Sequence, residues 1–101
     1  MSLYSLFYFD EVKQDLREAR DWYKQKKDGL EKRFIRDIQT AITRLHKNPH
    51  HYEARYKNIR IAYPDVFPYA IHFYIDQNQN RIVIIAITHQ HRNPDFSQER
   101  K

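Results

Sequence analysis

The sequence predicts an α+β fold in which a small, mostly antiparallel sheet carries an N-terminal helical hairpin on one face. Three observations indicate this class: a short alternating apolar segment at the start, two consecutive segments with apolar residues at helical spacing, and three later segments with a period of two. The predicted order is strand, helix, helix, strand, strand, strand. Because 101 residues suffice for one hydrophobic core, we expect a single domain over residues 1–101.

The first strand and the first helix follow from a change of periodicity near residue 10. Residues 3–9 alternate with β-favouring residue types, which predicts a short strand. The next segment has apolar residues at helical spacing and predicts an amphipathic helix from Asp10 to about Lys27. Asp10 is the predicted N-cap, since its carboxylate can accept a backbone hydrogen bond.

Gly29 is the single glycine of the chain, and it separates two helical patterns. Its tolerance of positive φ predicts that it ends the first helix and lets the chain reverse. Apolar residues from Leu30 to Leu45 continue at helical spacing and predict a second helix to about Lys47. Pro49 disfavours helical geometry at Asn48, so the helix should end there.

The last three strands are predicted from residues 59–63, 67–75 and 81–88. Apolar and polar residues alternate in the first two of these segments, as expected for half-buried strands. If the first strand of the chain joins the same sheet, its connection through the helices should be a right-handed crossover. The segment DQNQN is a polar turn, and RIVIIAIT is apolar on both faces. We therefore expect the last strand to lie centrally in the sheet.

Composition limits the class of protein. Hydrophobic residues make up 41% and charged residues 31%, which is typical of a globular chain, and the net charge of +5 favours an anionic partner without specifying one. The chain has no cysteine, so disulfides and thiolate chemistry are excluded. The N-terminus lacks a basic leader and no apolar segment reaches about 20 residues, so we expect a cytoplasmic protein without a membrane partner.

The segment THQHRNP places His89, His91 and Arg92 directly after the apolar strand. Two imidazoles on one side of a strand are compatible with a metal site, but no recognised spacing supplies further ligands, and we expect no metal or cofactor. A metal-free site for phosphodiester cleavage is a stronger candidate than a metal site, but residue types alone favour a structural role, with a hydrogen-bonded histidine at the strand end and an arginine paired with a nearby acid. Histidines would serve as acid and base, and Arg60 and Arg92 would hold the phosphate.

The other candidate residues mostly favour a structural role, such as an ordinary strand face, with recognition as the alternative. Trp22 and Tyr23 are adjacent on the first helix, so we expect one to anchor the core and the other to be partly exposed toward a partner. Arg55, Lys57 and Arg60 approach a strand and are candidates for contact with phosphate or with a target.

The segments FDEVKQDLREARDWY, GLEKRFIRDI, NPHHYE, IRIAYPDVFPYAIHFYID and IVIIAITHQHRNPDFSQER together resemble the RelE/ParE superfamily of toxins from type II toxin–antitoxin (plasmid stabilisation) systems. The resemblance implies a toxin neutralised by a cognate antitoxin. ParE-like members inhibit DNA gyrase, whereas RelE-like members cleave ribosome-bound mRNA.

The C-terminal tail bears on this choice between targets. It has Phe96 where RelE-like cleavage often uses a tyrosine, although Glu53, Arg60 and His89 could imitate another catalytic set if the fold brought them together. The segments DWY, VFPY and HRNP resemble the ParE side more closely. We therefore expect gyrase inhibition, with a metal-independent endoribonuclease and a non-toxic relative that binds antitoxin as the alternatives.

Overall fold

The computed structural model describes residues 3–91 of the chain. In that part of the chain, no helix is both long enough and apolar enough to cross a membrane. The helices are α1 (Asp10–Lys26) and α2 (Leu30–Lys47), followed by a short 3-10 helix, Pro49–His51. The strands are β1 (Ser5–Tyr8), β2 (Ala54–Tyr56), β3 (Ile59–Ala62), β4 (Tyr69–Asp76) and β5 (Arg81–His89).

The strands form one mixed sheet in the order β1-β5-β4-β3-β2. β1 pairs parallel to β5, from Ser5 opposite Arg81 to Tyr8 opposite Ile84, and the other neighbours pair antiparallel. The predicted α+β class, the helical hairpin and the position of the last strand inside the sheet are confirmed. β1 is shorter than predicted, and it joins the same sheet as the later strands.

β2 is a strand that the sequence did not predict. It has three residues, which is too short for a period of two to be recognised. A turn at Lys57 joins it to β3, and Lys57 adopts a left-handed conformation with φ 47°. The turn lacks the glycine that usually marks such a hairpin, so the sequence signal is weak.

The turn between the helices depends on Gly29, which has φ 90° and directly precedes α2. The predicted positive φ is confirmed, and it costs a glycine little. Gly29 does not end the first helix, however: Lys27 is the C-cap of α1, and Gly29 is the N-cap of α2. The predicted N-cap of α1 is wrong: Phe9 is the N-cap, and Asp10 is the first helical residue. Asp10 and Glu11 lie in the first turn, where negative charge interacts favourably with the helix dipole.

The main core lies between the helical hairpin and one face of the sheet. Tyr23 stacks on Phe34 with ring centroids 5.2 Å apart, and it contacts Phe67 and Tyr69 at 4.9 and 6.2 Å. Phe34 is fully buried, which contributes about 2 kcal/mol or more to folding. Tyr23 is therefore the aromatic anchor of α1, and Tyr69 is a core residue.

A β-bulge in the middle of β5 changes which side chains of the strand point to each face of the sheet. His72 is paired with Ala86 and Phe73 with Ile84, so Ile85 is an extra residue in the ladder. Ile84 therefore packs in the core under the helices, whereas Ile85 and Ala86 belong to a second cluster on the other face. This explains why the strand is apolar on both sides.

The second face also carries a largely buried polar group, formed by one side chain each from β2, β4 and β5. The imidazole of His72 lies 3.0 Å from the hydroxyl of Tyr56 through Nδ1 and 3.0 Å from the hydroxyl of Thr88 through Nε2. Burial raises the pKa of Tyr56, so its hydroxyl stays protonated near neutral pH. The group satisfies polar atoms inside an apolar surface.

Candidate functional site

The candidate site lies at the end of the sheet where β4 begins and β5 ends. Tyr69 is directly opposite His89 in the ladder, and their rings are 5.2 Å apart in an edge-on arrangement. Tyr69 is almost fully buried, whereas His89 is half-buried. The sheet register thus places the imidazole at the border between core and solvent.

Helix α1 supplies the opposite side of this site. β1 pairs with β5 only as far as Ile84, and beyond that point Asp15 takes over the edge: its Oδ2 accepts a hydrogen bond from the backbone N–H of Ile87 at 3.0 Å. A carboxylate on the helix thereby replaces a strand as the partner of β5. This bond fixes the distance between α1 and the end of β5.

Between α1 and the strand ends lies an open cavity of about 270 Å³, which we call the Trp22 pocket. Trp22 is 43% exposed, and Lys26 Nζ lies 4.4 Å from the centroid of its ring. The expectation that one residue of the Trp22 and Tyr23 pair would be partly exposed is confirmed. The pocket is lined by Asp15, Glu18, Ala19, Trp22, Tyr69, Ile87 and His89.

His89 and His91 lie close together, with ring centroids 5.8 Å apart. The backbone N–H of His91 donates to Nδ1 of His89 at 3.1 Å, so in the neutral ring the proton resides on Nε2. Within residues 3–91, no group of three histidines or carboxylates is placed to hold a metal ion. Arg92 and Phe96 lie outside the described residues.

The other predicted site residues lie at the opposite edge of the sheet. Arg55 is exposed on β2 and Lys57 is exposed in the turn that follows. Arg60 is half-buried on β3 and donates a hydrogen bond to the carbonyl oxygen of Tyr52. These three residues lie on β2, in the following turn and on β3, and none of them lines the Trp22 pocket.

The separation of Arg60 from His89 follows from the register. Arg60 pairs with Phe73 and His89 pairs with Tyr69, so they lie four residues apart along β4 and on strands either side of it. At about 3.3 Å per residue and 4.8 Å per strand, their Cα atoms are about 16 Å apart. The Arg60 guanidinium is also directed to the Tyr52 carbonyl, so the two groups do not meet over one phosphate.

Asp15 and Glu18 are the site residues that sequence reasoning missed. Asp15 lies three residues after Val12 and four before Ala19, which places it within the apolar stripe of α1. A carboxylate inside such a stripe needs a buried hydrogen-bond donor, so the position of Asp15 in the stripe was the sequence signal that could have identified it. Glu18 is exposed and accepts a hydrogen bond from Gln14, so its position at the pocket had no signal in the sequence.

Comparisons with known proteins bear on the family. Residues 6–94 match the family model of the ParE toxin of the type II toxin–antitoxin system parDE. No curated protein matches the sequence significantly. The fold is similar to a chain in the structure of a chromosomal ParDE toxin–antitoxin system from P. aeruginosa, with a TM-score of 0.76 and 16% identity over 86% of this chain and 96% of that one.

A second similar structure is a chain of the RelBE2 toxin–antitoxin complex from Mycobacterium tuberculosis. Its TM-score is 0.61 with 15% identity, and the match covers 88% of this chain and 93% of that one. The family match spans most of the sequence, and the fold agrees with it. The chain is therefore a member of the ParE toxin family of type II toxin–antitoxin systems.

Proposed function

We propose that this ParE-family toxin acts by binding and inhibiting DNA gyrase, and that a cognate antitoxin neutralises it. The observation that carries the proposal is the separation of about 16 Å between Arg60 and His89, which leaves the histidines without that phosphate-binding arginine. Cleavage of a phosphodiester needs proton transfer and positive charge at one phosphate. Recognition of a protein needs no such convergence.

The Trp22 pocket has the character of a recognition site. Its volume of about 270 Å³ suits one large side chain of a partner, and Trp22 is of a residue type enriched among binding hot spots. Asp15, the principal carboxylate of the pocket, already accepts a backbone hydrogen bond of β5 and therefore has a structural role. We assign the pocket, with Trp22, to contact with a protein partner.

The alternative function is ribosome-dependent cleavage of mRNA. The closeness of His89 and His91 favours it, since two imidazoles can divide the roles of acid and base. The similarity to a RelBE2 complex favours it as well, although at this identity the similarity concerns the fold.

The test is induction of the toxin without antitoxin, followed by separate measurement of plasmid supercoiling and of mRNA integrity. We expect supercoiling to fall while mRNA stays intact. If mRNA is cleaved instead, His89→Ala with His91→Ala should abolish the cleavage in a variant that circular dichroism shows folded, because the alternative assigns the acid and base roles to these two imidazoles. Rapid mRNA cleavage with normal supercoiling would contradict the proposal.

A further inference from the structure

A second surface lies on the other helix, between α2 and the loop of residues 63–68 that joins β3 to β4. It is an open groove of about 250 Å³, which we call the α2 groove. α2 contributes Arg33, Arg36 and Thr40, and the loop contributes Asp65, Val66 and Phe67.

The loop that forms one wall of the α2 groove is held rigidly. The carboxylate of Asp37 accepts three backbone hydrogen bonds, from Asp65, Val66 and Phe67, at 3.2, 3.0 and 2.8 Å. Arg44 then binds Asp65 through two hydrogen bonds of 2.9 and 2.7 Å. A connection between strands is usually mobile, so this degree of anchoring sets the loop apart.

The anchored loop exposes apolar side chains. Val66 is 65% exposed and Tyr63 is 47% exposed, although the neighbouring Phe67 is buried in the core. Exposing apolar surface brings no stability to the isolated chain, whereas a loop fixed in one conformation loses little entropy when a partner binds. The exposed apolar wall is therefore already arranged for contact.

The helical wall of the α2 groove is cationic. Arg33 and Arg36 are both exposed, and within residues 3–91 neither takes part in an ion pair. The two carboxylates that line the groove are engaged: Asp37 accepts the loop amides and Asp65 is paired with Arg44. The groove thus presents two arginines beside an exposed valine, with its acidic groups already bonded.

We propose that the α2 groove binds a segment of the target protein that carries carboxylates next to an apolar side chain. The arginines match carboxylates through paired hydrogen bonds, and Val66 matches the apolar side chain. The assignment rests on the proposal that the toxin acts by binding a protein. A nucleic acid would engage the arginines but would gain nothing from the exposed valine.

The experiment compares three variants. The double variant Arg33→Gln and Arg36→Gln removes the charge of the groove, and Val66→Ser removes its apolar contact. The matched control, Lys13→Gln with Lys24→Gln, removes two charges from exposed positions of α1 outside the groove. All substituted side chains are exposed, and thermal unfolding by circular dichroism confirms that each variant folds.

The measurement is inhibition of gyrase supercoiling by the purified toxin. Both groove variants should require about tenfold more protein than the wild type, and the control should match the wild type. Equal potency of all the proteins would overturn the groove assignment while leaving gyrase as the target. If the wild type itself leaves supercoiling unchanged, gyrase is not the target, and growth arrest without antitoxin then tests the groove. Loss of growth arrest in both groove variants but not in the control supports the groove assignment. Growth arrest by the groove variants at the wild-type level overturns it.

Two further outcomes would overturn the assignment. Binding of a short fluorescent RNA or DNA that weakens in the arginine variant and not in Val66→Ser would identify a phosphate-binding surface. Groove variants that arrest growth normally but escape neutralisation by the antitoxin would assign the groove to the antitoxin.

Discussion

Two aspartates, one on each helix, connect the helical hairpin to the rest of the fold in different ways. Asp37 is 9% exposed and accepts three backbone N–H groups of the β3–β4 loop. Asp15 is half-buried, accepts one N–H of β5, and also lines the Trp22 pocket. The same chemical group therefore fixes a loop in one place and borders an open cavity in the other.

The difference shows how an apolar helix stripe tolerates a carboxylate. Burial of an unpaired charge is costly, so the more buried aspartate needs the larger number of donors. Asp37 acts mainly on stability and on the shape of the α2 groove. Asp15 is closer to solvent and accepts a single such bond, so substitutions there should destabilise the fold less than substitutions at Asp37.

The largest expected effect comes from Asp37→Ala. The substitution leaves three backbone donors without their acceptor, and we expect the free energy of unfolding to fall by about 3 kcal/mol. Urea denaturation measures this change. Thr40→Ala, an exposed position on the same helix, is the control and should change stability by about 0.5 kcal/mol or less. A loss no larger than the control's would show that the loop does not depend on Asp37.

A smaller effect is expected from Asp15→Ala. One partly exposed hydrogen bond is lost, so the free energy of unfolding should fall by about 1 kcal/mol. Hydrogen exchange of the Ile87 amide should become faster, while that of the Phe67 amide stays unchanged. The comparison between the two aspartates fails if Asp15→Ala destabilises the fold as much as Asp37→Ala does.

The smallest effect concerns the ion pair beside Asp37. The hydrogen bonds from Arg44 hold the pKa of Asp65 below its usual value of 3.8. A lowered pKa in the folded state stabilises the fold above the unfolded pKa, and that contribution is lost as pH falls through the folded pKa. Both groups are exposed, so the contribution is small.

Arg44→Gln should raise the titration midpoint of Asp65 toward 3.8, as followed by the NMR chemical shift of its carboxyl carbon. Asp76, paired with Arg81 elsewhere in the sheet, serves as the internal control, and the chemical shift of its carboxyl carbon at neutral pH should be the same in the variant and the wild type. An unchanged midpoint for Asp65 would mean that Arg44 does not interact with it in solution.

Long periodic segments determined most of what the sequence could predict. The predicted bounds of α2 agree with the observed ones, and the predicted end of α1 is one residue too late. Both helices could be located because the apolar spacing defines them and Gly29 separates them. β2 escaped prediction because three residues carry no period. The N-cap at Asp10 was predicted wrongly because aspartate is common both at the N-cap and in the first turn of helices. Phe9 occupies the N-cap position and makes no side-chain hydrogen bond there.

The site was harder to predict, because it depends on sheet register. That His89 faces Tyr69, and that Arg60 lies about 16 Å away, follows from pairings between strands that no local pattern encodes. The bulge at Ile85 also changes which face of the sheet the following side chains of β5 occupy. Asp15 and Asp37 could be recognised in the sequence as charged residues inside apolar helix stripes. The backbone N–H groups that donate to them could not be predicted, because they lie far away in the sequence.

The parallel pairing of β1 with β5 has a consequence for synthesis. Ser5–Tyr8 is synthesised well before its partner Arg81–Ile84, because both helices and three strands lie between them in the chain. The helical hairpin can form from local contacts, but its apolar stripe has no central strand to cover until β5 exists. A chain whose translation has not reached β5 therefore lacks the strand that lies between β1 and β4, and the sheet is completed only after Arg81–His89 has been made.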